Sequence, residues 1–229
     1  MKPALCIVIP LLNEAAQLAD RLRALAPLRQ RSARVVLVDG GSSDATQDIA
    51  RAHGDLTLQA PRGRGSQMNA GAAACAAEVY LFLHADTQLP RDADERVLAA
   101  VRAGAAWGRF DVHIDSAHPA LRLVETLMNL RSRLSGIATG DQAMFVRGDL
   151  FAAIGGFSDI ALMEDIDLSR RLRRLARPAC LRARVLTSGR RWERDGVWRT
   201  IWLMWRLRGA YFLGADPTQL AQDYGYPPR

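Results

Sequence analysis

Leu81-Phe82-Leu83 is a short apolar run that stops abruptly at His84-Ala85-Asp86-Thr87, and Val35-Val36-Leu37-Val38 stops in the same way at Asp39-Gly40-Gly41-Ser42-Ser43-Asp44. A carboxylate held at the end of a buried strand is well placed to hold a hard divalent cation, which takes oxygen ligands. Two strands that deliver acids to one edge point to a nucleotide site, because ligands of open α/β sheets collect in the crevice beyond the carboxyl ends of the strands.

The elements that must position these acids are legible in the apolar spacing. Leu5-Cys6-Ile7-Val8-Ile9 reads as a strand followed by Pro10 and Asn13-Glu14, and then by a helix with Leu18, Leu22 and Leu25 on one face. A second strand over 35–38 leads to a helix near 45–52, with Asp44 and Gln47 as a capping pair. A third helix starts near Gly65, and a strand over 80–83 follows it. Strands alternating with helices predict an α/β fold with a mostly parallel central sheet flanked by helices.

A chain of 229 residues, about half of them apolar, fits a single α/β domain over 1–229, with 1–110 as a nucleotide-binding half and 111–229 as an acceptor half. Cys6, Cys75 and Cys180 show no CxxC spacing, so neither a disulfide framework nor a zinc site is indicated. The first strand begins almost at once and no apolar stretch reaches about 20 residues, which leads us to expect a cytoplasmic protein, soluble or peripheral on the inner face of the membrane.

Charge is divided unevenly. Residues 170–229 carry 14 arginines against four acids, whereas residues 1–169 are net acidic by three, giving +7 overall. Lys2 is the only lysine, which removes Walker-type phosphate loops, Schiff-base lysines and lysine general bases. G-x-S-x-G and a helix-opening G-x-G-x-x-G are absent as well. The C-terminal arginines are interspersed with helix-forming residues and no RNA-module signature accompanies them, so no nucleic-acid partner is expected.

Ile7-Val8-Ile9-Pro10-Leu11-Leu12-Asn13-Glu14, Val38 to Thr46, Arg64-Gly65-Ser66-Gln67-Met68-Asn69-Ala70-Gly71, His84-Ala85-Asp86-Thr87, Thr139-Gly140-Asp141-Gln142, Gly155-Gly156-Phe157 and Met163-Glu164-Asp165 follow one another in the order and spacing seen in family 2 glycosyltransferases of the GT-A fold. The chain resembles that family over roughly residues 4 to 175, and within it a set of small stand-alone bacterial enzymes. The resemblance implies an inverting transfer from a nucleoside-diphosphate sugar, with UDP favoured by the family's habit, to an acceptor that the sequence does not name, a lipid-linked group and a glycan being candidates. Pro10, Asn13, Glu14 and Asp39 match the positions that hold base and ribose, Arg64 and Asn69 those near the donor, and Asp141 the sugar pocket.

Two departures stand out. Asp39-Gly40-Gly41-Ser42 lacks the second acid of the usual Asp-Asp-Gly-Ser, and His84-Ala85-Asp86 has histidine where the family's Asp-x-Asp begins. Asp86 remains the carboxylate ligand for Mn²⁺ or Mg²⁺, with His84 either a second ligand or a donor to ribose or diphosphate. In the family, the second acid before the late helix is the general base; that is Asp165 here, with Glu164 beside it. Without the resemblance, Glu164, Asp165 and Asp167 read equally as acids favouring a helix N-terminus.

Beyond residue 175, Arg191-Trp192 is similar to an Arg-Trp element of larger membrane-embedded relatives, without its preceding glutamine. Trp198, Trp202 and Trp205 recur at helical spacing with Arg199 and Arg206 nearby. Such a face either lies on an anionic membrane surface or packs on the protein's own core. The segment from Asp216 to Pro228 reads as a tail. A non-catalytic sugar-nucleotide-binding protein and a nucleotidyltransferase are the competing functions.

Overall fold

The computed structural model describes residues 2–226. The first half comprises β1 (Leu5–Leu11), α1 (Ala15–Ala24), α2 (Ala26–Gln30), β2 (Arg34–Asp39), α3 (Thr46–His53), β3 (Leu56–Gln59), α4 (Arg64–Ala74), β4 (Val79–Phe82) and a two-residue β5 (Thr87–Gln88). The second adds α5 (Ala93–Arg102), β6 (Trp107–Asp115), α6 (Pro119–Ser135), β7 (Met144–Arg147), α7 (Gly148–Ala153) and α8 (Glu164–Arg173). It closes with β8 (Ala179–Ser188), α9 (Arg190–Asp195), α10 (Val197–Phe212) and α11 (Pro217–Asp223).

The strands form one sheet in the order β3-β2-β1-β4-β7-β6-β8-β5. The four strands β3, β2, β1 and β4 are parallel, so the ends of β1, β2 and β4 that carry the expected donor site share one edge. Beyond them the sheet is mixed: β7 runs antiparallel to β4 and β6, β6 and β8 are parallel, and β5 is antiparallel to β8.

Burial on both faces explains the continuous apolar runs. Leu5, Ile7, Ile9, Val35 and Leu37 pack with Leu18, Leu22 and Leu25 on one side of the sheet. Cys6, Val8, Val36 and Val38 pack with Met68 and Ala72 of α4 on the other. Gly71 lets α4 approach that closely, since a Cβ there would sit 2.4 Å from Val8 Cγ1.

Between the end of β4 and the start of β5 the chain has only Leu83 to Asp86, a reach of about 17 Å at most. Four strand spacings in a flat sheet would need about 19 Å. The second half of the sheet therefore curls back, and His84-Ala85-Asp86 crosses its open end.

Candidate active site

A cleft of about 630 Å³ opens at this edge. Pro10, Leu11, Leu12 and Glu14 form one wall, Arg62 to Arg64 and Gln67 another, and His84, Ala85 and Asp86 the strand-end side. Asp159 to Ala161 and the segment from Asp216 to Tyr226 close it. That closing segment is not a tail: it forms α11, its Asp216 side chain accepts from the Thr218 N–H, and the cleft is incomplete without it. Pro227 and Pro228 lie outside the described residues.

The floor is set by Gln67, which sequence reading quoted but did not assign. Its amide donates to the Leu11 carbonyl at 2.9 Å and the Val38 carbonyl at 2.7 Å, joining the ends of β1 and β2. Asp39 is fully buried and absent from the cleft lining. Its carboxylate accepts from the N–H groups of Gly41 and Ser42, from the Ser42 hydroxyl and from the Gln47 amide. Gln47 thus serves Asp39 rather than pairing with Asp44 as a cap, and Asp44 accepts from the N–H groups of Thr46 and Ala15 instead.

Asn13, at φ 54°, accepts from the Ser43 N–H at 2.9 Å through its side chain, while its own N–H donates to the Ser42 hydroxyl. The first two strand-end turns are therefore tied to each other. Asn69 ties a third: its amide donates to the Phe157 carbonyl at 2.8 Å and accepts from the Phe157 N–H at 2.9 Å. Asn13 and Asn69, like Asp39, do not line the cleft.

Glu14 and Asp86 do face it, together with Arg64 and His84. Burial, and then the negative charge of Asp86, raise the Glu14 carboxyl above its ordinary value. Arg190, which sequence reading passed over in favour of its neighbour, opposes that shift from 3.6 Å. Arg191 instead pins the closing segment, donating to the Tyr224 carbonyl at 2.7 Å with its guanidinium 3.6 Å above the Tyr224 ring. Trp192 packs with Ile114, Leu121 and Val197, away from the cleft lining. Only the adjacency of the two arginines signalled Arg190.

His84 is nearly buried, with Nδ1 3.5 Å from Asp141 Oδ1. The Cε1–Nε2 edge of its ring abuts Gly140, where a Cβ would approach Nε2 to 2.2 Å. Desolvation would raise the Asp141 carboxyl, but the bond to His84 and the charges of His84, Arg64 and Arg208 prevail and hold it below the usual range. Asp165, in the first turn of α8, accepts from the Gly140 N–H at 2.7 Å and from the Ile166 N–H at 2.7 Å. It lies beside His84 in a small apolar niche rather than on the main lining. Glu164 is buried 4.0 Å from Arg64. Burial and the Asp165 charge push its carboxyl up, against the pull of Arg64.

Left-handed backbone is concentrated here. Asn13, Ala143 and Met163 are three of the four non-glycine residues with positive φ among the described residues. They flank Glu14, the Gly140–Gln142 turn and Glu164, a distribution typical of sites where surrounding structure sustains strain.

Comparison with known proteins agrees with this architecture. The family model Glycosyl transferase family 2 matches residues 6–154. The probable glycosyltransferase YdaM of Bacillus subtilis (strain 168) is 26% identical over 93% of the chain, which spans 55% of that protein, about half its length. Among solved structures, S. aureus TarS 1-349 in complex with UDP superposes with a TM-score of 0.66 at 19% identity, covering 82% of this chain and 60% of that one. The mannosyltransferase PcManGT from Pyrobaculum calidifontis, in complex with GDP-Man and Mn²⁺, gives 0.64 at 18% identity, covering 99% and 70%. At these identities the structural likeness is one of fold.

Proposed function

The chain belongs to glycosyl transferase family 2 and has the GT-A fold, and from that premise we propose that it transfers a sugar from a nucleoside-diphosphate sugar to an acceptor hydroxyl at the strand-end cleft. The observation that carries this is the charge layout of the cleft: acids Glu14 and Asp86 and the cation Arg64 line the same 630 Å³ space. UDP is the proposed nucleotide.

Pro10, Glu14 and Ala85 line the nucleotide seat, whereas Asn13, Asp39 and Asn69 act by holding the turns that shape it. Among the described residues no three His, Cys, Asp or Glu groups converge as a metal cage. The donor set still fits a hard cation that draws its remaining ligands from diphosphate and water. The repulsion that raises Glu14 next to Asp86 is what such a cation would relieve. Asp86 would hold Mn²⁺ or Mg²⁺. His84 would join it as a second ligand, its ring oriented by Asp141 at Nδ1, as carboxylates commonly orient histidine ligands. The ion supplies positive charge that stabilises the departing diphosphate.

In the transfer, Asp165 takes the acceptor hydroxyl proton. The acceptor oxygen bonds to the anomeric carbon from the opposite face as the bond to the diphosphate oxygen breaks, and that electron pair leaves with the nucleoside diphosphate. Each Asp165 oxygen accepts one backbone bond and retains a second lone pair for this. Those same bonds favour the second reading, a sugar-nucleotide-binding protein without turnover, in which Asp165 only holds the Gly140 turn.

The two readings separate on one variant. Asp165→Asn keeps donor affinity and lowers nucleoside diphosphate release by about 10² to 10⁴ fold if Asp165 is the base. Unchanged release in the variant sinks that assignment, and wild-type protein that binds donor without releasing nucleoside diphosphate supports the second reading.

No helix among the described residues is long and apolar enough to cross a membrane. Trp198, Trp202 and Trp205 on α10 are 72%, 65% and 73% exposed, so this face does not pack on the protein's own core. We assign it to an anionic membrane surface, with the protein peripheral on it and the acceptor presented there.

A further inference from the structure

Several arginines of the second half have acid partners: Arg133 pairs with Asp111 at 2.6 Å and Arg171 with Asp167 at 2.8 Å. Arg131 on α6 and Arg208 on α10 are different. Arg131 Nη1 makes one long bond, to the Ile137 carbonyl at 3.5 Å, while its Nε and Nη2 are buried without a hydrogen-bond partner among the described residues. The Arg208 side chain forms no hydrogen bond or ion pair among the described residues.

The fold brings the two together. Ile137, whose carbonyl accepts from Arg131, packs in one apolar cluster with Leu207 and Ile166, which joins the end of α6 to α8 and α10, and Arg208 and Asp165 lie on the same turns of those two helices. Asp165 in turn holds the Gly140 N–H. Burial and the Arg208 charge push the Arg131 guanidinium down to about 10, with Asp165 acting in the opposite sense, and the Arg208 charge also reaches Asp141. Two like charges and buried unpaired N–H groups are costly together unless an anion is shared between them.

We propose that Arg131 and Arg208 form an oxyanion site, beside Asp165, for a phosphate group carried by the acceptor. The assignment to the acceptor rests on the transfer reaction proposed above; the anion site itself does not. A guanidinium pair suits phosphate because each presents a planar fork of donors, and a phosphomonoester carries close to two negative charges at neutral pH. Neither arginine lines the 630 Å³ cleft, whose arginines are Arg62 and Arg64. The phosphate recognised here is thus distinct from the donor diphosphate.

The test is calorimetric titration of the full chain with inorganic phosphate, comparing wild type with Arg131→Gln, Arg208→Gln and Arg64→Gln. Affinity is expected to fall at least tenfold in each of the first two and to be little changed in Arg64→Gln. A loss confined to Arg64→Gln places the phosphate in the donor cleft and overturns the site. Thermal melting guards against misfolding: relieving an unpaired buried charge should leave the Arg131→Gln Tm equal or higher. A marked drop in Tm would mean that Arg131 is a structural anchor, and the proposal would then fail unless Arg208→Gln, on its own helix, still loses phosphate.

Two arms then distinguish the source. If the phosphate belongs to a lipid, the wild type prefers phosphatidic acid vesicles over phosphatidylglycerol vesicles of equal charge, and Arg131→Gln and Arg208→Gln abolish that preference. If it belongs to a soluble acceptor, glycerol 3-phosphate displaces inorganic phosphate while no lipid preference exists. Absence of both overturns the proposal. None of these readouts uses turnover, so failure of the transfer reading, scored by nucleoside diphosphate release, remains a separate result.

Discussion

His84 is held between a carboxylate and a glycine, and both contacts have consequences. With its ring on Gly140 and Nδ1 toward Asp141, the imidazole has one orientation available. Gly140→Ala would place a methyl group inside the ring's contact distance and displace His84 toward the cleft. We expect Mn²⁺-dependent tightening of nucleoside diphosphate binding to fall at least tenfold in this variant, with the fold intact by circular dichroism. Asp141→Asn, which removes the charge but keeps the shape, should reduce the same metal effect by about 10–100 fold, as for other carboxylates behind a histidine ligand. Metal dependence unchanged in both variants would show that His84 is not a ligand. Asp86→Ala is the reference, expected to remove the metal effect entirely. Glu14, Arg64, His84 and Asp86, which line the cleft, were legible in the sequence through the motifs the chain shares with family 2 glycosyltransferases. Asp39, Asn13 and Asn69 were not legible in their roles. A turn motif fixes the residue type, but whether its oxygens face a ligand or the N–H groups of its own turn depends on how the neighbouring turn docks.

At the scale of elements, the site depends on strand ends staying level, and the ties between elements are polar. Asp55 is one such tie. It accepts from Arg29 Nε at 3.0 Å and from the Val35 N–H at 2.8 Å, joining α2 to the start of β2 just before β3. Desolvation would raise its carboxyl, but the Arg29 bonds and the Val35 N–H outweigh it and hold it below the usual range. Its contribution is therefore present above the unfolded-state value near 3.9 and is lost as pH falls through the lower folded value. Asp55→Asn is expected to cost about 1–3 kcal/mol in denaturant unfolding near neutral pH, and the difference from wild type should shrink on acidification below that window. A constant difference across pH would mean that the bonds, not the charge, stabilise the tie. The strands and helices of this half were readable because both faces of β1 and β2 are buried and their runs are uninterrupted. The mixed half was not, since β7 enters antiparallel after α6 and a turn, and no local periodicity encodes a strand's direction.

The whole molecule is polarised. The strand-end cleft is built largely by residues 1–169, which are net acidic by three, while the last 60 residues bring the arginine excess, α10 and the segment that closes the cleft. That closure was invisible in the sequence because it requires the chain to return across the sheet edge from α10, where Arg191 on Tyr224 fixes its approach. On the outside of the same region, α10 buries Val197, Thr200 and Leu207, leaving Trp198, Trp202 and Trp205 outward. Exposed leucines on α6 lie in the same half of the chain: Leu123, Leu127, Leu130 and Leu134 are 49–79% exposed. Indole rings favour the headgroup level of a bilayer, and an arginine near an anionic surface gains about 1 kcal/mol at physiological ionic strength. The two contributions respond to different perturbations. Vesicles containing anionic lipid should sediment the wild-type protein at low salt, and raising the salt should release it, because the charge contribution is screened. Replacing all three tryptophans with serine should weaken binding at least tenfold at low salt without altering the melting temperature, since none of the three rings is buried. Replacing Arg199 and Arg206 with glutamine should instead remove the salt dependence and leave a weaker, salt-insensitive partition. Equal sedimentation of the tryptophan variant and the wild type would show that α10 does not face lipid, and the acceptor would then have to reach the cleft from solution.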